Sequence, residues 1–407
     1  MQNLKGEQSL DNLIRILRSF SKGEEDKVFT ENFVDILKNK VMNDVQRMYE
    51  RGLTFRDNTV IFPPPWESIY ASLKEIGFFK RFIPVSFGGS RTSEEIIYFM
   101  MELLGYTCPS LGIIFVAHSR AIDLILAGKD EEQKKKFISR LRDGDFGAIA
   151  MTEERAGSDT IAIEFSAARK GDYYIFNGEK TFVSNAGLAN IYTILVNTRG
   201  KKGGRSLSVF VVEDEVEGFQ LEVLPEKDGL NILPTGKLVY KNCLVPKDNL
   251  VGDEGMGLLL ALDAIDKGRI LLAGVSCGLG CRILDEVFKY SRKRIQFDHP
   301  LTSSQDISFK ISDMHTHINA ARGLCFHALN QVNSPYYRSA SSQAKLFATQ
   351  MVTSVAQLGL MIMGGRGYFK NNIISMLSAD ARGMEYLEGT SSMQKMIISR
   401  ELFKNYT

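Results

Sequence analysis

The strongest structural signal in this chain is LLLALDAIDKGRILLAGVSCGLGCRILDEVFKYSRKR, residues 258–294. Its apolar residues recur every three or four positions, which predicts one long amphipathic helix. Further helical runs follow at 307–332 and 341–365, and another begins after Ser391. Long helices joined by short links are typical of an up-and-down bundle. We therefore assign residues 257–407 to a C-terminal four-helix bundle domain.

The pattern is different upstream of this bundle. Residues 146–256 contain short alternating runs separated by turn signals such as Asn177-Gly178, which predict a middle β domain, either a barrel or a sandwich. Residues 29–145 have helical periodicity and form an N-terminal helical domain. Residues 1–28 form an extra arm with a short amphipathic stretch, which is either a docking helix or loose arm, or a partner-binding arm. The predicted fold class is α+β.

Composition excludes several classes of protein. The 407 residues carry 50 basic and 48 acidic side chains, so the net charge of +2 gives no footprint of a nucleic-acid-binding protein. The N-terminus lacks the apolar core of a signal peptide, and charged residues interrupt or close the apolar helical runs, so we expect no membrane span. Five scattered cysteines indicate reduced thiols and a cytoplasmic protein.

Five short motifs stand in a fixed order along the chain. They are AMTEERAGSD at 150–159, NGEKTFVSNAG at 177–187, RIQF at 294–297, GGRGY at 364–368 and EGTS at 388–391. Together with the helical, β, helical order of domains, this set resembles the acyl-CoA dehydrogenase family from about residue 30 onward. The resemblance implies an FAD-dependent oxidoreductase of that three-domain fold.

The resemblance also implies which residues bind FAD. Thr152 and Ser184 would hydrogen-bond the flavin ring, Ser158 would serve the phosphates, and Phe182 would pack against the ring. The remaining cofactor contacts that it implies are Arg294 and Phe297, which would reach a flavin bound by a neighbouring subunit, the backbone of Gly364 and Gly365, and Thr390. We therefore expect a homotetramer, or at least a dimer.

Glu388 is the predicted catalytic residue. The α-proton of a thioester is a poor acid in water, so its removal needs a carboxylate made more basic by an apolar pocket. In some family members the base lies on the first long bundle helix, but that position is Gly268 here, which leaves Glu388. Gly389 and Arg269 are predicted to contact the substrate. A solvated Arg269, or one paired with Asp266, is an equally supported alternative.

The predicted reaction is α,β-dehydrogenation of an acyl-CoA to a trans-2-enoyl-CoA, with electrons passing to an electron-transfer flavoprotein. Departures from the family pattern at Met361, Ala379, Ser392 and Asp298 keep other functions open. One is dehydrogenation of an acyl group held by an acyl-carrier protein in polyketide or antibiotic biosynthesis, rather than in fatty acid metabolism. The others are a flavin-dependent monooxygenase and a non-catalytic flavin-binding or scaffold protein. The spacing of the cysteines and histidines predicts no metal site.

Overall fold

The structure is a computed structural model that describes residues 8–404. The N-terminal part is helical, as predicted, with one small hairpin. Its helices are α1 Gln8–Phe20, α2 Glu24–Ile36, α3 Met42–Arg51, α4 Trp66–Glu75, α5 Glu94–Thr107, α6 Pro109–Leu126 and α7 Glu131–Arg142, and its hairpin consists of β1 Thr54–Arg56 and β2 Thr59–Ile61. Pro109 stands in the first turn of α6, where its missing N–H costs nothing. Asp130 caps α7 by accepting from the N–H groups of Glu132 and Gln133.

Helix α1 docks onto the body of the protein. Its apolar face of Leu10, Leu13, Ile14 and Leu17 is buried against neighbouring helices that include α5. Burying such a stripe is what holds an amphipathic helix in place. Of the two interpretations of the 1–28 arm, the docking helix describes residues 8–20, while residues 1–7 lie outside the described residues.

An eight-stranded sheet forms the middle of the chain. Its strands are β3 Gly147–Ala150, β4 Ser166–Lys170, β5 Tyr173–Ser184, β6 Ile191–Asn197, β7 Leu207–Glu213, β8 Phe219–Val223, β9 Thr235–Pro246 and β10 Leu250–Val251. The strand order is β10-β7-β6-β4-β5-β9-β8, with β3 pairing with β6. The β5–β9 register shifts between Lys180 and Val183, and Phe182 there has a φ of +55°. This irregularity turns the Phe182 side chain out of the sheet, where it is 63% exposed.

The C-terminal part consists of long helices, as predicted. They are α8 Gly257–Lys293, α9 Gln305–Leu329, α10 Tyr337–Met363, α11 Ile373–Met384 and α12 Ser391–Lys404, and the short hairpin β11 Ile295–Gln296 and β12 His299–Pro300 joins α8 to α9. Helix α11 packs on α8 and α10 and completes the bundle with α9. The prediction that the helix after Ser391 is the fourth was wrong, because α11 was not recognised between two glycine-containing motifs. The α+β fold class itself is confirmed.

Two helical stretches are long and apolar enough to cross a membrane by length and composition alone, Pro109–Leu126 and Tyr337–Tyr368. The first is 89% buried within this structure and the second is 50% buried. Helix α6 therefore serves as a core helix, packed between the sheet and α8. Asn185, at the end of β5, donates its amide hydrogens to the carbonyl oxygens of Ile114 and Gly147 at 2.9 and 3.0 Å. These bonds tie the sheet to α6.

Candidate active site

The predicted base lies in the short connection between α11 and α12, residues 385–390, which we call the base segment. Glu388 and Gly389 both have positive φ, +56° and +87°, so the chain turns sharply at this point. The turn directs the Glu388 side chain inward, where it is 4% exposed. Thr390 ends the segment and accepts from the N–H of Met393 at 3.4 Å, in the first turn of α12.

The two carboxylate oxygens of Glu388 have different surroundings. Oε1 forms an ion pair with the guanidinium of Arg120 on α6. Oε2 is buried and has no hydrogen-bond partner among residues 8–404. A buried oxygen without a partner needs an explanation in a folded protein, and a catalytic role is one such explanation. Glu388 is buried, as expected for the base, but the pocket also contains the charge of Arg120, which sequence spacing could not reveal.

Two side chains from neighbouring helices hold the base segment. Lys345 on α10 donates to the carbonyl oxygens of Glu385 and Gly389, at 2.9 Å each. Gln394 on α12 donates to the carbonyl oxygens of Glu388 and Gly389, at 3.0 Å each. Burial lowers the pKa of Lys345 to about 8, although the charge of Glu388 opposes that shift. Neither residue was predicted from the sequence, although the single Lys in the apolar run 341–365 was a usable signal.

Arg269 also reaches the base segment. It forms an ion pair with Asp266, donates to Ser342 Oγ at 3.3 Å, and its Nε lies 3.5 Å from the carbonyl oxygen of Glu388. Burial lowers the pKa of Arg269, while the charge of Asp266 opposes the shift. Pairing with Asp266 is therefore confirmed, as one of the two alternatives for Arg269. A contact between Arg269 and the substrate stays a prediction.

Gly268 lies directly beside the predicted base. A Cβ atom on Gly268 would collide with Cδ of Arg120 and would come within 2.8 Å of Oε2 of Glu388. Position 268, where some family members carry the base, and the carboxylate of Glu388 therefore lie in the same small volume between α6, α8 and the base segment. Of the predicted residues, the structure brings Glu388, Gly389, Thr390 and Arg269 together here.

A second group of predicted residues lies around the carboxyl end of β5, an inner strand of the sheet that pairs with β4 and β9. The N–H of Thr181 donates to the carbonyl oxygen of Thr152 at 2.8 Å, so the Thr152 loop lies against β5 next to the exposed Phe182. The hydroxyl groups of Thr152, Ser158 and Ser184 have no hydrogen-bond partner within residues 8–404. An outward aromatic ring with free hydroxyls nearby fits a flat cofactor that has an apolar body and a polar edge, as FAD does.

A buried ion pair fixes the Thr152 loop. Lys180 donates to the carbonyl oxygen of Met151 at 3.0 Å and to Glu153 at 2.7 Å. Glu153 also accepts from the N–H groups of Glu164 and Phe165. Burial lowers the pKa of Lys180 to about 8, against the effect of Glu153. Both charged residues lie within the sequence motifs at 150–159 and 177–187, but this role was not predicted.

The other predicted cofactor residues lie on the surface. Arg294 precedes the β11–β12 hairpin, whose turn residue Phe297 is 97% exposed, and Gly364 and Gly365 form an exposed turn after α10. Within residues 8–404, no hydrogen bond or ion pair joins these positions to Glu388 or to the group of Thr152, Ser158, Phe182 and Ser184. Their cofactor roles stay predictions.

Asp380, which follows the departure at Ala379, is fully buried on α11. It accepts from Tyr49 Oη at 2.9 Å and from the N–H of Leu230 at 2.6 Å. Burial raises its pKa to about 7, which the hydrogen bond from Leu230 opposes. Asp380 thus joins α11 to α3 and to the loop between β8 and β9. The backbone of Ala379 lies close to Gly229 in that same loop, where a Cβ atom on residue 229 would collide with it.

Comparison with known proteins agrees with this architecture. Family models described as acyl-CoA dehydrogenase N-terminal, middle and C-terminal domains match residues 23–145, 148–243 and 255–403. The short-chain specific acyl-CoA dehydrogenase of Clostridium acetobutylicum is 34% identical over 328 residues, which is 79% of this chain and 86% of that protein.

Solved structures give the same result. The butyryl-CoA dehydrogenase of Megasphaera elsdenii superposes with a TM-score of 0.85 at 26% identity, over 99% of each chain. A chain from a structure described as the electron transferring flavoprotein of Acidaminococcus fermentans, in work on flavin-based electron bifurcation, has a TM-score of 0.87 at 28% identity, over 94% of this chain and 99% of that one. This chain therefore belongs to the acyl-CoA dehydrogenase family.

Proposed function

We propose that this protein is an FAD-dependent dehydrogenase that forms the α,β double bond of an acyl-CoA. The observation that carries the proposal is the buried Oε2 of Glu388, which lacks a partner among residues 8–404 although Oε1 of the same carboxylate is paired. Oε2 is therefore free to accept a proton from a ligand. Family membership and the short-chain relative support the reaction class and an acyl-CoA substrate.

In the proposed mechanism, the residues of this chain position the substrate and remove one proton. Oε2 of Glu388 takes the α-proton, while Arg120 holds Oε1. Lys345, Gln394 and Arg269 fix the backbone that carries the base, so the carboxylate meets the substrate with little reorganisation. When bound, FAD supplies the acceptor for the hydride that leaves the β-carbon. Thr152, Ser158, Phe182 and Ser184 would hold it.

Anaerobic titration tests the proposal. Purified protein loaded with FAD is mixed with butyryl-CoA, longer acyl-CoAs and the matching acyl-carrier proteins, and the loss of the oxidised flavin absorbance is followed. We expect acyl-CoA to reduce the flavin. Reduction by acyl-carrier protein alone would establish the biosynthetic alternative instead. Absence of reduction with every thioester, together with oxygen consumption on supplied reduced flavin, would indicate a monooxygenase. Absence of both reactions would indicate a non-catalytic protein.

Glu388→Gln is the companion variant. Glutamine keeps the size and the hydrogen-bonding capacity of the side chain but cannot take a proton, so we expect normal FAD content and acyl-CoA binding. The rate constant of flavin reduction should fall by about 10²- to 10⁴-fold, the usual contribution of a general base. A wild-type rate in this variant would contradict the role of Glu388.

We also propose that the protein is a homo-oligomer, a tetramer or at least a dimer. Several large apolar side chains of the bundle are exposed, namely Phe297, Phe309, Tyr368 and Phe369. We propose that these side chains contribute to one interface, because contiguous exposed apolar surface is typical of an interface. A second chain would cover it and bring Arg294 and Phe297 to a neighbouring flavin. Sedimentation analysis of the FAD-loaded protein tests the oligomeric state, and a monomer would contradict the proposal.

An electron-transfer flavoprotein is the proposed electron acceptor, supported by the likeness to the Acidaminococcus chain. The test is reduction of a purified electron-transfer flavoprotein by the enzyme and its acyl-CoA. A cytoplasmic location is proposed as well, supported by five cysteines that are all free and buried. Fractionation of cells that produce the tagged protein would test the location.

A further inference from the structure

Arg120 is the only charged partner of Glu388 that reaches its carboxylate within residues 8–404, and the pair is almost fully enclosed. The side chains are 10% and 4% exposed, respectively. Apart from this pair, the guanidinium donates only a long bond, 3.4 Å, to the carbonyl oxygen of Val116 in its own helix. Burying two opposite charges requires a large desolvation free energy, and the ion pair itself seldom gives net stability. Its position on the proposed base therefore indicates a functional reason.

The neighbouring helix is built to admit Arg120. Gly268 on α8 faces the pair, and even a methyl group at this position would occupy the volume of Arg120 Cδ. Glycine in the interior of a long helix is unfavourable compared with alanine, because it has more conformational freedom to lose. The space beside Gly268 is used by the side chains of Arg120 and Glu388. Three positions on three elements therefore form one packed unit.

The other charged groups near the pair have partners of their own. These groups are Asp123 on α6, Asp266, Lys267 and Arg269 on α8, Arg338 and Lys345 on α10, and Glu385 in the base segment. Lys267 forms an ion pair with Asp123, and Asp266 forms ion pairs with both Arg269 and Arg338. Lys345 donates to backbone carbonyl oxygens, and Glu385 accepts from the hydroxyl groups of Thr353 and Ser391. Arg120 and Glu388 therefore pair with each other.

We propose that Arg120 is a positioning residue that holds Glu388 by Oε1, so that Oε2 is presented to the α-proton. An opposite charge in direct contact favours the ionised form of a carboxylate, which is the form that can accept a proton. Without this contact, we expect flavin reduction to require a higher pH. This inference rests on the proposed dehydrogenase function.

The test is the pH dependence of anaerobic flavin reduction by butyryl-CoA in Arg120→Met and Arg120→Lys. Methionine has a similar length but no charge, so we expect the acidic limb of the rate profile to move up by about 1–3 pH units. Lysine keeps the charge and should restore most of the wild-type profile. Lys267→Met is the control, since it removes a cation from the same helix interface but one that pairs with Asp123. Its acidic limb should coincide with that of the wild type.

Several outcomes are decisive. An unchanged acidic limb in Arg120→Met, with normal FAD content and substrate binding, would overturn the role of Arg120 and leave the dehydrogenase function intact. If no thioester reduces the wild-type flavin, the proposed function and this inference both fail. Should Arg120→Met not retain FAD, Gly268→Ala takes its place, because the added methyl displaces the Arg120 side chain without removing its charge. Its acidic limb should move in the same direction, and an unchanged limb would refute the inference.

Discussion

Replacing Lys345 by methionine should slow the reaction without removing the base. Lys345 donates to the carbonyl oxygens of Glu385 and Gly389, on either side of Glu388. Gln394 still donates to Gly389 in the variant, so the carbonyl oxygen of Glu385 is the group that loses its donor. Leaving one buried polar group without a partner costs about 1–3 kcal/mol. If that free energy opposes the ordered base segment, the competent population falls by about 5- to 150-fold.

Anaerobic stopped-flow measurement of flavin reduction by butyryl-CoA gives the rate constant directly. We expect it to fall by that factor in Lys345→Met, while FAD content and the affinity for the unreactive enoyl-CoA product stay close to wild type. Gln343→Met is the matched control, because Gln343 lies on the same helix and, within the described residues 8–404, its side chain bonds only Ser339. A wild-type reduction rate in Lys345→Met would refute the reasoning that Lys345 orders the base segment. An equal loss in the Gln343 variant would refute it too.

Two further changes test other parts of the structure. Phe182→Ala should raise the dissociation constant of FAD by about tenfold, the equivalent of one lost aromatic stacking contact. Tyr173 is an exposed aromatic residue at the other end of β5, so Tyr173→Ala should leave the dissociation constant unchanged. Equal effects of the two variants in a flavin-binding titration would contradict the predicted role of Phe182. His118 is buried and its pKa is lowered to about 3, so the unfolded chain takes up a proton as the pH falls below about 6.5 while the folded chain does not. The contribution of His118 to stability should therefore fall by about 1.4 kcal/mol between about pH 7.5 and about pH 5.5, and His118→Asn should lack that part of the pH dependence. Urea unfolding at both pH values measures this, and identical pH dependence in the two proteins would contradict it.

Features that follow from local pattern could be predicted from the sequence. The runs 258–294, 307–332 and 341–365 have a clear helical period and correspond to α8, α9 and α10. Helix α11 was not predicted because its segment, 373–384, is short and lies between two glycine-containing motifs.

Contacts between distant parts of the chain could not be predicted in this way. The ordered motifs indicated Glu388 as the base, but nothing in the spacing of α6 shows that Arg120 reaches it. Likewise, Gly268 was interpreted as the absence of an alternative base, whereas the structure shows that its lack of a side chain makes room for Arg120. These relations depend on which helix faces pack together, and a single sequence does not state that.

The positive φ of Glu388 and the glycine at 268 together set an order in which mutations can accumulate. Glycine at 388 would relieve the strain of a left-handed residue, about 1–2 kcal/mol, and a larger residue at 268 would recover about 1 kcal/mol of helix propensity. Both changes are locally favourable, yet a side chain at position 268 fits without displacing Arg120 only after residue 120 has become smaller. A lineage that moves its carboxylate from the turn to the helix and keeps this packing must therefore change residue 120 before residue 268, although residue 120 carries neither the old base nor the new one.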